Sequence, residues 1–176
     1  MTLPTIGRGG TYHRVADPSW DDPLDGTYAA ARGGRWNPPG SFGVLYLNRD
    51  VGTARRNVDR LLAGHPYGPE DLDPDEAYIL VEVDVPHADH VDVVTDAGCA
   101  ASGLPASYPR DADGAVIPHA ACRPIGVAAH DAGLPGVACR SAAPGAAAED
   151  EELACFGAVG ERRRRSFDDW YWSGAA

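Results

Sequence analysis

Gly33-Gly34-Arg35-Trp36-Asn37-Pro38-Pro39-Gly40 is an irregular segment that leads into a short apolar run, Val44-Leu45-Tyr46-Leu47. The two glycines let a partner approach the backbone closely, and Arg35 offers a planar fork suited to phosphate or carboxylate. The apolar run predicts a buried strand over 43–48. Asp50 then caps a helix over 51–63, because Val51, Ala54, Val58 and Leu61 or Leu62 recur at helical spacing and Gly64 supplies a stop. Asn57 lies three residues after Ala54 and four before Leu61, so it borders the apolar stripe of that helix. A satisfied buried amide and a ligand-facing amide both fit that position.

Outward from this centre, Thr11 to Val15 reads as a short strand, and the Asp-, Pro- and Gly-rich stretch from Ala16 to Gly26 as loop. Tyr78 to Val85 alternates as a strand, with Ile79, Val81, Val83 and Val85 on one face, and His90 to Val94 adds another. Pro124 suits the first turn of a helix running to about Ala132 and packed through Ile125, Ala128 and Ala129. Gly136 to Arg140 and Glu152 to Phe156 read as strands around an Ala/Gly/Pro loop. The mixture predicts an α+β (mixed α/β) fold in one domain over 1–176, with a core at about 11–157 and a C-terminal extension over 158–176.

Composition narrows the classes of function. Hydrophobic residues make up 44% and charged residues 23% of 176, so an ordinary globular core is affordable without staples. The 26 acidic residues outnumber the 15 basic ones, all of them Arg, and the net charge of −11 disfavours general nucleic-acid binding. No apolar stretch reaches the roughly 18 residues that span a bilayer, and Met1 to Gly10 lacks a signal-peptide core, which predicts a cytoplasmic protein with no membrane contact. Cys99, Cys122, Cys139 and Cys155 stand far apart and read as buried thiols. His87, Asp89, His90 and Asp92 fit a solvated strand edge better than a metal site, and no metal is expected. Arg162 to Arg165, beside Asp168 and Asp169, read as a self-neutralising solvated tail or as a phosphate or partner contact. Hydrolase-elbow, zincin, P-loop and dinucleotide-fingerprint motifs are absent.

Several segments together resemble one family, the RES domain, the toxin half of bacterial toxin–antitoxin pairs with Xre-type antitoxins. The likeness runs through His13-Arg14, Asp22-Pro23-Leu24-Asp25-Gly26, the Gly33 to Gly40 cluster, Leu45-Tyr46-Leu47 and its helix, Gly136-Val137 through Arg140-Ser141, and Leu153 to Phe156. The resemblance implies an ADP-ribosyltransferase-like split sheet with flanking helices and a cleft that binds NAD as substrate. It also implies cleavage of the nicotinamide–ribose bond by phosphorolysis or hydrolysis, with inorganic phosphate as a second substrate in the first case. A separately encoded Xre-type antitoxin is the implied partner. By position Arg14 and Ser141 match the Arg and Ser of the family name, and Arg35 and Tyr46 match further cleft residues.

The same resemblance exposes a departure, since the family's Glu falls on Asn57. An amide hydrogen-bonds a ribose hydroxyl but does not offset an oxocarbenium, and losing one such electrostatic group costs on the order of 3 kcal/mol, about a hundredfold in rate. Glu82 is a candidate substitute. Three functions follow from these residues: NAD cleavage, binding of NAD or a partner without efficient turnover, and ADP-ribosyl transfer to protein.

Overall fold

The computed structural model describes residues 2–173. Its strands are β1 (Thr5–Ala16), β2 (Leu45–Asn48), β3 (Ile79–Val93), β4 (Gly136–Arg140), β5 (Glu151–Cys155) and β6 (Gly160–Arg165). The helices are α1 (Thr27–Arg32), α2 (Val51–Leu62), α3 (Asp96–Ala101), α4 (His119–Asp131) and α5 (Phe167–Trp170). The strands form one mixed sheet in the order β1-β2-β5-β4-β3-β6, and an additional antiparallel β1–β3 pairing closes five of them into a ring. Strand β3 splits the sheet along its length, since Leu80 to Asp84 pair with β6 and Val91 to Val93 run parallel to β4.

Strand alternation sorts the core into layers. Tyr12, Leu45, Leu47, Val81, Val83, Ala138 and Leu153 fill the inside of the ring. On the outer face, Val137, Cys139 and Ala154 meet Trp36 and the Cys122, Ile125 and Ala129 stripe of α4. The third cluster sits under α2, where Ala54, Val58 and Leu62 pack on Leu80, Phe167, Trp170 and Tyr171. All four cysteines are free and buried, as expected. Among the described residues no helix is long and apolar enough to cross a membrane.

The mixed α+β class and the α2 reading hold, with the Asp50 side chain accepting from Thr53 N at 2.8 Å at the helix start. Other expectations need correction. The two predicted strands 78–85 and 90–94 are one strand, because Pro86 falls where the β1–β3 register shifts between Arg8 and Gly10, and its missing N–H is not needed there. Pro124 is not in the first turn of its helix. The helix starts at His119 behind Pro118, with Pro124 inside it. The basic run 162–165 is solvated and neutralised as expected, but it is strand β6 and not a tail, held on β3 by pairing, with Glu82, Asp84 and Glu161 as its counter-charges in place of Asp168 and Asp169. The segment read as an extension beyond 157 thus supplies a strand and three buried aromatic side chains.

Candidate functional site

Gly34, Arg35, Trp36 and Asn37 of the Gly33–Gly40 cluster have separate roles. Trp36 is fully buried and anchors the segment in the outer core. Asn37 is equally buried, and its amide donates to Ala29 O at 2.7 Å and Phe42 O at 3.1 Å while its Oδ1 accepts from the Tyr46 hydroxyl at 3.1 Å. The Tyr46 hydroxyl in turn accepts from Trp36 N at 3.1 Å, so the phenol is a clamp on this loop, and burial pushes its pKa up to about 12. Gly34 is obligatory for the clamp: a Cβ there would stand 2.2 Å from the Tyr46 oxygen. Helix α4 approaches just as closely, for a Cβ on Gly126 would stand 1.7 Å from Trp36 O. The close backbone approach that Gly34 permits is therefore to Tyr46, and that of Gly33 is to Pro39.

Gly34→Ala should cost about 1–3 kcal/mol of stability by overpacking. Because the clash centres on one hydroxyl, Tyr46→Phe in the same chain should relieve part of it. Thermal melts of both single variants and the double variant test this, and strictly additive losses would count against the clamp.

Arg35 projects from this fixed loop into a cleft of about 450 Å³. Its Nη1 donates to Ile117 O at 2.9 Å, and no carboxylate pairs with it among the described residues. Arg14, near the end of β1, lines the same cleft and has neither an ion pair nor a side-chain hydrogen bond among the described residues, with Nε buried and unpartnered. Burial pulls the Arg14 pKa below its ordinary value, against the opposing influence of Asp22 and Asp25. Its guanidinium lies 5.7 Å from the ring centre of Trp20, an indole left largely exposed at the cleft edge. Arg60 adds a third guanidinium to the lining, and His119 an imidazole. Burial lowers the His119 pKa, and the positive charges of Arg35, Arg123 and Arg60 lower it further. The cleft is thus a local positive field within a chain of net charge −11.

Another part of the lining is polar and tightly knit. Asn48 on β2 donates to His13 O at 3.1 Å, and its Oδ1 accepts from Asn57 Nδ2 at 2.6 Å. The same Asn57 nitrogen donates to Glu152 Oε1 at 3.0 Å. Ser141, buried just beyond β4, donates from Oγ to that same oxygen at 2.6 Å. Strand register explains the meeting, because Glu152 on β5 stands directly opposite Asn48 on β2 and Cys139 on β4.

Arg14, Arg35, Tyr46 and Asn57 therefore line one cleft, and Ser141 reaches it through Glu152. Glu82 does not, being held by Arg163 at 3.0 Å on the β6 side. Glu152 escaped the sequence reading because it closes an acidic run from Glu149; the available signal was alternation, which sends Glu151 and Glu152 to opposite faces. Glu151 is taken by Arg8 at 2.7 Å. Among the described residues no group of three or more His, Cys, Asp or Glu side chains is placed to hold a metal ion. Asp92 is engaged by Thr95, and His90 is buried in the core.

The family model described as the RES domain matches residues 11–172. Comparison with curated proteins gives no match. Among solved structures, a chain in the crystal structure of the M. tuberculosis MbcT-MbcA toxin–antitoxin complex superimposes with a TM-score of 0.74 at 23% identity, covering 95% of this chain and 91% of that chain.

Proposed function

Because the chain belongs to the RES-domain family, we propose that it binds NAD in the arginine-lined cleft and cleaves the nicotinamide–ribose bond, releasing nicotinamide. The observation that carries this reading is the pair Arg14 and Arg35, two partly buried guanidiniums lining one cleft with no ion-paired carboxylate among the described residues. A desolvated cation without a counter-ion is costly in the empty protein, and a dianionic diphosphate is the kind of ligand that removes that cost. Trp20 offers a flat apolar face beside Arg14 for an aromatic base or ring. Arg14, Arg35 and Tyr46 are the NAD-binding residues in this reading, with Asn57 and Ser141 on the wall that meets the ribose.

Two acceptors complete the reaction equally well. Inorganic phosphate gives phosphorolysis and water gives hydrolysis. The toxin–antitoxin complex that shares the fold supports a further part of the proposal, a protein partner of antitoxin type. The test is NAD loss and nicotinamide release by the purified chain, with and without phosphate, and mass identification of the ribosyl product. Release of nicotinamide is the expected result, and phosphate dependence selects phosphorolysis. Tight NAD binding with no release would replace catalysis by a nucleotide-holding role, and labelled ADP-ribose on protein would replace it by transfer.

A further inference from the structure

The geometry points to Glu152 as the carboxylate that stabilises the ribosyl cation, with Asn57 and Ser141 positioning it; this rests on the NAD-cleavage reading above. Only two carboxylates line the cleft among the described residues, Asp17 and Glu152. Asp17 is spent on its own turn, accepting from Ser19 N at 2.8 Å and Ser19 Oγ at 2.6 Å. Glu152 has no cation partner among the described residues, and both of its donors, Asn57 Nδ2 and Ser141 Oγ, converge on Oε1. No described group donates to Oε2. One oxygen is held in place while the other has no described donor, in a cleft whose lining also includes Arg14 and Arg35.

This arrangement suits the bond being broken. The C1′–N bond cleaves with its electron pair passing to the pyridine nitrogen, so nicotinamide leaves neutral and the positive charge moves onto the ribosyl C1′ and ring oxygen. A phosphate dianion then adds through one oxygen to give a ribosyl 1-phosphate, or water adds and releases one proton to solvent. Nothing is oxidised or reduced. Negative charge is needed only where the cation develops, and a carboxylate already oriented by two hydrogen bonds supplies it without reorganisation. Asn57 cannot supply it, because an amide carries no charge, and its nitrogen is committed to Asn48 and Glu152. In this chain the carboxylate has passed from α2 to the facing strand β5, and the amide of α2 now orients it.

Asn57→Glu alone should therefore not rescue or raise turnover, since it sets a second carboxylate against Glu152 where both cannot remain charged at no cost. The decisive set is wild type, Glu152→Gln, Asn57→Glu and the exchange Asn57→Glu with Glu152→Asn, each measured for NAD turnover and separately for NAD affinity by calorimetry. Expected are a kcat about 100-fold lower for Glu152→Gln, a Kd for NAD within about threefold of wild type, and recovery to within about tenfold of wild type in the exchange variant. If Glu152→Gln does not fold, Glu152→Asp keeps the charge and withdraws it by one methylene, with a loss of about tenfold expected. Active wild type with unchanged turnover in Glu152→Gln, or in Glu152→Asp, overturns the assignment and leaves NAD cleavage standing. A loss in Kd equal to the loss in turnover also overturns it, as a binding or structural effect. A wild type that binds NAD but never releases nicotinamide defeats the cleavage reading itself, and the assignment with it.

Discussion

Trp170→Ala should destabilise the chain by about 3–5 kcal/mol, the range for truncating a large buried aromatic side chain. Trp170 is fully buried in the cluster beneath α2, edge-on to Phe167 with ring centres 5.9 Å apart. Its indole Nε1 donates to Tyr78 O at 3.0 Å, so truncation opens a cavity and also strips a partner from the backbone at the start of β3. From α2, Arg55 reaches over to donate to the Trp170 carbonyl at 3.1 Å, which ties the helix to the C-terminal turn from the other side. For a chain of this length such a loss lowers the melting midpoint by roughly 6–20 °C. Calorimetry of the full chain checks it. A midpoint within two degrees of wild type would show that this segment is a lid on α2 rather than part of its foundation. Because α2 also carries Asn57, activity at moderate temperature should fall together with the melting midpoint.

That result bears on how much of the fold was legible in the sequence. Local signals sufficed wherever one element carried its own evidence: the Asp50 cap and 3.6-residue stripe of α2, the apolar run of β2, and the period of two through Val81 and Val83. They failed where pairing decided the outcome. The strand through Val85 and the one from His90 looked separate because the tolerance of Pro86 between them depends on a register shift in β1, some eighty residues away in sequence. Arg162 to Arg165 looked like a tail because four like charges in a row repel one another, and only the acids of β3 and Glu161 make a strand of them acceptable. The same divide runs through the site. Arg35 and Asn57 could be singled out from their own surroundings in the sequence, Arg14 and Tyr46 only through the family resemblance, and their convergence is tertiary. Glu152 was visible only as the last of four acids until β2 and β4 flanked it with Asn48 and Cys139.

Arg14→Met should reduce kcat/KM for NAD by about 100- to 1,000-fold, roughly 3–4 kcal/mol of transition-state binding, while leaving the fold as stable as wild type or more so. The two halves of this expectation share one cause. Arg14 is partly buried, its Nε is unpartnered, and burial depresses its pKa despite the charges of Asp22 and Asp25, so the empty protein bears the cost of desolvating a guanidinium that no carboxylate pairs with directly among the described residues. Methionine keeps an unbranched apolar chain and removes that cost while giving up the guanidinium's approach to the Trp20 ring, whereas a bound diphosphate loses its charge-assisted contacts. Arg35→Met makes the internal control. That guanidinium already donates to Ile117 O, so its removal leaves a carbonyl unpaired and should weaken the fold as well as binding. Arg14→Lys should recover only part of the lost activity, because a point charge replaces a planar fork. Paired melts and NAD kinetics on the three variants separate these outcomes. A destabilised Arg14→Met with unchanged kcat/KM would make Arg14 a structural cation and remove the main support for an anion-binding cleft.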